Sequence, residues 1–273
     1  MLTGRDIKMR RLLVAGGFSW LLFRLPMLTA ADDVSNPEQL VAHHLESLGP
    51  AKARAEAKTR VAEGMVEFRI STGGAGVLNG KSVFVSEGRK LHLMMKFANN
   101  QYRGERFIWN EDKVQIAAAT ARQDRSSFGE FLRGQDAVIR EGLLGGVLST
   151  AWPLLNLEDR KPRLSYEGLK TIDGQQLYDL RYRPQRSTDL DIHLYFDPQT
   201  FRHVRTVYKL TVEPSIGVRE TDSARQQETR YRIDERFSDF QTVDGLVLPA
   251  PLRPAIYAGA PKRRDELMDV GYN

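Results

Sequence analysis

The sequence has no cysteine in its 273 residues. The protein therefore has no disulfide, no thiolate metal ligand and no thiol nucleophile. It also cannot be a bacterial lipoprotein, since those proteins carry their lipid on a cysteine at the processing site. A fold of this length must instead be stabilised by an apolar core.

Catalytic motifs are also lacking. No serine lies in a nucleophile elbow, and the glycine-rich stretch 142–146 has no lysine of a phosphate-binding loop. Of five histidines, His193 and His203 with Asp191 could approach a metal across a hairpin, but their spacing is not that of a metal motif. The sequence therefore predicts no enzyme, no catalytic residue, no metal and no cofactor.

Long apolar runs are absent except at the N-terminus. Four basic residues within 1–11 precede the run Leu12–Leu28, and the small residues Thr29–Ala31 follow it. This order predicts a signal peptide over residues 1–31, cut near Ala30 or Ala31, and a domain over 32–273. The alternative is an uncleaved anchor, which Arg24 and Pro26 disfavour because a charge and a helix breaker are costly within a membrane span.

The basic excess lies mostly in that N-terminal segment. Residues 1–31 carry five basic side chains and one acidic one, so removing this net +4 from the +5 of the whole chain leaves about +1. A nearly neutral domain has no overall electrostatic attraction for nucleic acid. We therefore expect no nucleic-acid partner.

The first element after the signal is predicted to be a helix. Ser35 or Asn36 can cap it, Pro37 suits its first position, and Gly49-Pro50 ends it. The stretch 51–58 either extends this helix or connects it to the next element.

Alternating apolar residues then predict two antiparallel meanders, about ten strands in all. The first meander carries Val66, Phe68, Ile70, Val83, Val85, Leu91, Leu93, Met95, Phe97, Phe107, Trp109, Val114 and Ile116. The second carries Leu164, Tyr166, Tyr178, Leu180, Tyr182, Leu190, Ile192, Leu194, Phe196, Val204, Thr206, Tyr208, Leu210, Tyr231, Ile233 and Phe237. Between them, residues 126–157 predict one or two short apolar helices and a loop, interrupted at Gly145-Gly146.

Charged residues on the first strand predict a solvated surface rather than a site. Glu63 and Glu67 share one strand face, and Arg60, Arg69 and Lys81 are available near them. Mixed charge of this kind is usually exposed.

The order of signal peptide, helix, meander, apolar insertion and second meander resembles the LolA/LolB lipoprotein-carrier superfamily. The resemblance rests on the helix 37–48, the strand 64–70, the insertion 128–152, and the strand pair 190–196 and 201–206 with its turn Asp-Pro-Gln-Thr. It implies a mainly β fold with some α-helix, an unclosed antiparallel β-barrel wrapped around a helical plug. Without a cysteine, only a soluble LolA-type carrier fits, not a lipid-anchored version.

The resemblance also implies a function. A LolA-like protein would be a periplasmic, non-enzymatic carrier that binds lipid or lipoprotein acyl chains in an apolar cavity and serves outer-membrane lipoprotein sorting. It would meet membrane-bound donor and acceptor proteins, and we expect it to be a monomer. The candidate cavity residues are Phe68, Leu93, Met95, Phe107, Phe131, Leu144, Leu148, Trp152, Ile192, Leu194, Tyr208 and Tyr231. Two alternatives stay open: these residues form an ordinary core, or the same fold is a periplasmic interaction or sensor module.

Overall fold

The first described helix begins where its capping residues predict. The structure is a computed structural model that describes residues 34–70, 76–120, 124–186, 188–212, 229–249, 254–258 and 270–272. Helix α1 (Pro37–Ser47) starts after Asn36, whose side-chain oxygen accepts a hydrogen bond from Gln39 N at 2.9 Å. The stretch left open in the sequence forms a separate short helix, α2 (Ala51–Glu56). The predicted signal peptide, residues 1–31, lies outside the described residues.

The first meander has five strands in which each pairs with the next in antiparallel fashion. They are β1 (Thr59–Ile70), β2 (Gly76–Glu87), β3 (Lys90–Phe97), β4 (Glu105–Trp109) and β5 (Val114–Ala118). Alternation places one set of side chains on an inner face, which packs in the core, and the other set on an outer face. On β3 the inner set is Leu91, Leu93, Met95 and Phe97.

The second meander repeats this arrangement. Its strands are β6 (Arg163–Ile172), β7 (Gln175–Arg183), β8 (Leu190–Phe196), β9 (His203–Val212) and β10 (Thr229–Arg236). The β6–β7 turn is the predicted Asp173-Gly174, with φ of 49° and 82°. Both angles lie in the left-handed region that a tight hairpin turn requires, which explains the glycine.

Two short strands join the meanders into one sheet. Strands β13 (Pro254–Ala258) and β14 (Val270–Tyr272) lie between β1 and β10, so the order is β5-β4-β3-β2-β1-β13-β14-β10-β9-β8-β7-β6. The joins β1–β13 and β10–β14 are parallel, whereas the pairs within each meander are antiparallel. Strands β11 (Gln241–Val243) and β12 (Leu246–Leu248) form a separate hairpin.

The predicted fold class, a mainly β protein with an unclosed sheet and a helical plug, is confirmed. Its details differ from the prediction in two ways. The main sheet has 12 strands rather than about ten, and its two central joins are parallel. The two extra strands of the main sheet, β13 and β14, have five and three residues and were not predicted from alternation.

The insertion between the meanders, hereafter the plug (residues 126–160), packs against the inner face of the sheet. It is built from α3 (Ser127–Gly134), α4 (Ala137–Arg140), 3-10 turns at Gly146–Leu148 and Pro153–Leu155, and α5 (Leu157–Arg160). Its apolar side chains join the sheet residues in one buried cluster.

Glycine is required at the centre of the plug. Gly145 has a φ of +79°, and a Cβ atom there would lie 2.6 Å from the Phe84 ring. The chain therefore turns at the predicted Gly145-Gly146 and also approaches the sheet closely.

One predicted strand has the opposite orientation. The sequence suggested Val83 and Val85 as the apolar face of β2, but Phe84 is the residue buried in the core, at 1% exposure. Val83 and Val85 point to the outer face and are half-buried. Strand β2 is apolar on both faces, so alternation alone could not decide which face is inside.

Candidate functional site

The structure brings the predicted cavity residues together in the interior between sheet and plug. The sheet contributes Leu93, Met95, Phe107, Ile192, Leu194, Tyr208 and Tyr231, and the plug contributes Phe131, Leu144, Leu148 and Trp152. All belong to one cluster; Tyr231 is half-buried and the others are at most 6% exposed. The side chain of Phe68, the twelfth, lies outside the described ones. Whether these residues bind a ligand stays a prediction.

The plug fills this interior in the structure. Trp152 is 1% exposed, and its ring centroid lies 4.6 Å from that of His203. Phe131 on α3 approaches Tyr231 on β10 with ring centroids 6.2 Å apart. An acyl chain in this interior would therefore replace plug side chains on the sheet.

A buried arginine holds the centre of the plug. The Nη1 atom of Arg60 on β1 donates to Val147 O at 2.5 Å and to Ser149 O at 3.2 Å. Burial lowers the pKa of Arg60 to about 10. The neighbouring Ser86 on β2 donates to Leu148 O at 3.3 Å and accepts from Thr150 N at 2.9 Å. These bonds satisfy the carbonyls of a turn that has no regular helix to do so.

The prediction that Arg60 is a surface charge was wrong. Its side chain is on the inner face and the residue is only 9% exposed. The sequence did contain a signal, because Arg60 has the same strand parity as Ala62, Gly64 and Val66. Its long side chain reaches the plug carbonyls, whereas Glu63 is exposed to solvent.

Two buried carboxylates hold the centre and the start of the plug. Glu235 on β10 accepts from Tyr208 Oη at 2.6 Å and from Gly145 N at 3.0 Å. Glu105 on β4 accepts from Ser126 N and Tyr102 Oη, each at 2.8 Å, and from the Ser126 hydroxyl. Burial raises the pKa of Glu105. Sequence reasoning missed both glutamates; their alternation with buried aromatic residues was the available signal.

A neutral histidine lies where α1, the plug and β8 meet. His44 is fully buried; its Nδ1 atom lies 3.1 Å from Phe201 O, and its Nε2 atom lies 3.2 Å from Trp152 Nε1. Since the indole can only donate, Nε2 accepts, and Nδ1 carries the proton toward the carbonyl. Burial lowers the pKa of His44 to about 4. This histidine therefore connects helix, plug and sheet in its uncharged form.

His193 and His203, which could have met across a hairpin, do not lie opposite each other. In the β8–β9 register His193 is opposite Val207, and His203 is opposite Phe196. The Nδ1 atom of His193 lies 2.7 Å from Asp179 Oδ1 on the outer face, whereas His203 is buried in the core. Among the described residues, no group of three or more histidine and carboxylate side chains is arranged to hold a metal ion.

A separate groove of about 500 Å³ lies at the open edge of the sheet. It is lined by Ile116, Ala117, Ala118, Thr120, Asp124, Arg125 and Glu130. Arg125 Nε donates to Ile116 O at 3.1 Å, so one outward carbonyl of edge strand β5 is covered by a charged side chain. Guarding of this kind protects a sheet edge from pairing with other chains. None of the predicted cavity residues lines the groove.

No helix in the described part of the chain is long and apolar enough to cross a membrane. No protein-family model matches the chain, and no curated protein has a matching sequence.

Solved structures do show similarity. A DUF1329 family protein from Desulfovibrio piger is 11% identical, with a TM-score of 0.33 over 78% of this chain and 82% of the other. A LolA superfamily protein from Nitrosomonas europaea is 11% identical, with a TM-score of 0.33 over 79% and 83%. A putative outer membrane lipoprotein-sorting protein domain from Vibrio parahaemolyticus is 9% identical, with a TM-score of 0.32 over 72% and 86%. One of these similar structures is a LolA superfamily protein, from the superfamily that the sequence resembles.

Proposed function

We propose that the protein is a non-enzymatic periplasmic carrier that binds lipid, or the acyl chains of lipoproteins, between the inner face of the sheet and the plug. Its cellular role would be outer-membrane lipoprotein sorting. One observation carries this proposal. Apart from a few buried polar residues, the interior is an apolar contact between a continuous sheet and a segment of very short helices and turns. Acyl chains need apolar area rather than directed polar groups, and each buried methylene contributes about 0.8 kcal/mol.

The short helices of the plug would allow acyl chains to displace it from the sheet. Its helices have eight residues at most, too few to be stable without the sheet, so the plug depends on tertiary contacts alone. The sheet, in contrast, is held by its own backbone ladders. Moving the plug would expose the inner face without breaking a strand pairing. The bonds from Arg60 and Glu235 to the plug would break in that step.

A reversible crosslink tests whether the plug must move. Gln135 at the end of α3 and Thr188 before β8 have side chains in contact, with Thr188 Oγ1 3.4 Å from Gln135 Oε1. The double variant Gln135→Cys/Thr188→Cys can be joined by a disulfide or a short bis-maleimide in this cysteine-free chain. A matched control is Thr171→Cys/Gln176→Cys, whose side chains meet at 2.9 Å on the β6–β7 hairpin, outside the plug.

The readouts are native mass spectrometry of the protein purified from the periplasm and titration with a fluorescent fatty acid. We expect bound lipid in the parent, at least tenfold weaker uptake in the crosslinked plug variant, recovery after disulfide reduction, and no effect in the control. Absence of bound lipid together with absence of fatty-acid binding would refute the carrier function. Equal uptake in the crosslinked variant and the parent would refute the displacement of the plug.

A second candidate function is a periplasmic module that binds protein segments. It is favoured by the filled interior. The predicted cavity residues whose side chains the structure describes pack between the sheet and the plug, and they are buried or half-buried. A module of this type would purify without lipid and would bind no fatty acid, so the same two readouts distinguish the functions.

A further inference from the structure

The outer face of the first meander carries apolar side chains in neighbouring positions. Cross-strand register places Val61 opposite Val85 and Val85 opposite His92, which in turn lies opposite Ile108. The next row places Val83 opposite Met94. Met65 lies diagonally beside Val83, and Val77 lies further along β2, beyond Lys81 and Asn79. Together these residues form what we call the outer patch: Val61, Met65, Val77, Val83, Val85, His92, Met94 and Ile108.

Several of these side chains are unusually accessible. Val61 is 62% exposed, Val77 52% and Met65 45%. An antiparallel sheet with one face on the core normally presents polar residues on the other face. Contiguous apolar surface on a soluble domain usually marks a binding surface.

The histidine in the outer patch, His92, is partly shielded from water. His92 is half-buried between Val85 and Ile108, and its Nε2 atom has no hydrogen-bond partner in the described structure. Burial and the nearby Arg106 lower the pKa of His92. An uncharged ring of this kind adds to the apolar area.

The charges around the outer patch are mostly basic, although one exposed acid, Glu63, lies between Val61 and Met65 and opposite Val83. Register places Met65 opposite Lys81 and Lys81 opposite Lys96, and it places Met94 opposite Arg106. These three cations are exposed, and none forms a salt bridge with a carboxylate that the structure describes. Arginines on the outer face of the second meander are paired instead, as in Arg181 with Asp191 at 2.7 Å.

We propose that the outer patch docks on an anionic lipid surface, with Val61, Met65 and Val77 entering the headgroup region and Lys81, Lys96 and Arg106 facing lipid phosphates. Apolar side chains with three unpaired cations and one exposed acid, Glu63, beside them suit this partner, since basic residues gain energy near anionic headgroups. A neutral membrane would leave these cations without a counterion. The proposal goes beyond lipid carriage and does not depend on it, because docking uses the face opposite the interior.

Single cysteines in the cysteine-free chain report on each position separately. Val61→Cys and Met65→Cys, each labelled with a polarity-sensitive fluorophore, are mixed with vesicles of phosphatidylcholine alone or with 30 mol% phosphatidylglycerol. The matched controls are Leu169→Cys and Val243→Cys, which replace apolar residues of similar exposure, 51% and 44%, on other strands. The protein purified from the periplasm is used throughout, so its N-terminus is the same in all samples.

We expect a blue shift at positions 61 and 65 with the anionic vesicles only, and none at 169 or 243. Lys81→Gln/Lys96→Gln/Arg106→Gln should weaken partitioning about 100-fold, at about 1 kcal/mol for each cation. Equal shifts at all four positions, or none with anionic vesicles, would overturn the proposal. A shift seen only with native membranes and lost after their proteolysis would overturn it in favour of a protein partner.

Discussion

Acid should destabilise this protein through His44, and the effect can be calculated. The side chain is fully buried, and burial lowers its pKa from the ordinary 6.5 to about 4. Between these values the unfolded chain binds a proton that the folded chain does not bind. Stability must therefore fall as the pH is lowered through this range and is fully retained above it.

The magnitude follows from the two pKa values. The folded state should lose about 1.4 kcal/mol between pH 7.5 and 5.5, and about 3 kcal/mol between pH 7.5 and 4, from this residue alone. His203, whose ring centroid is 6.3 Å from that of His44, adds in the same direction, because burial and the neighbouring His44 lower its pKa well below the ordinary value. The cation of Arg54 also disfavours a protonated His44.

The outer face contributes with the opposite sign. Burial alone would lower the pKa of His193, but hydrogen bonds to Asp179 and Asp191 raise it. A raised folded-state pKa gives stability that is present below the unfolded pKa and is lost as the pH rises through the folded one. The whole-protein pH profile is therefore composite, and only a difference between variants isolates His44.

The assay is urea unfolding at pH 7.5, 6.5, 5.5 and 4.5 for the parent, His44→Gln and His43→Gln. Glutamine can accept from Trp152 Nε1 but does not titrate, so His44→Gln should be less stable at pH 7.5 yet lose about 1.4 kcal/mol less on going to pH 5.5. His43, on the same helix but half-buried, is the control and should keep the parent's pH dependence. If the slopes of the parent and His44→Gln coincide, His44 titrates normally in the folded state and the reasoning fails.

Two further predictions concern how the plug is held. Arg60→Met should lower the free energy of unfolding by about 2 kcal/mol, because the carbonyls of Val147 and Ser149 lose a charged donor. The control Arg163→Met, at an exposed strand position, should change it by less than about 0.5 kcal/mol. Urea unfolding measures both variants, and equal effects would contradict the role of Arg60. Gly145→Ala should lower the free energy of unfolding by about 2–5 kcal/mol in the same assay, since it combines left-handed backbone strain with a clash against Phe84. Gly174→Ala has a similar φ of +82° and nothing within 4 Å of the added Cβ, so it should cost only the strain of about 1–2 kcal/mol. Similar losses in the two glycine variants would show that Gly145 is not pressed against the sheet.

Local chemistry predicted the elements that depend on local interactions. The Asn36 cap and Pro37 set the start of α1, and Asp173-Gly174 sets a hairpin turn. The parallel joins were beyond such reasoning, because β13 meets β1 across a sequence separation of about 190 residues and gains its place from the sheet rather than from its own sequence.

The misassigned faces have one physical origin. Alternation identifies a half-buried strand only when one face is polar, and in β2 both faces are apolar, with Phe84 inside and Val83 and Val85 outside. For Arg60 the error was the reverse, since a cation was assigned to solvent although its guanidinium bonds to plug carbonyls inside. A strand that is apolar on its outer face and a buried cation both depart from the pattern of an ordinary sheet. The apolar outer face of β2 belongs to the proposed docking surface, and the buried Arg60 holds the plug that we propose is displaced. Residues at functional sites are expected to depart from the pattern that stability alone would favour.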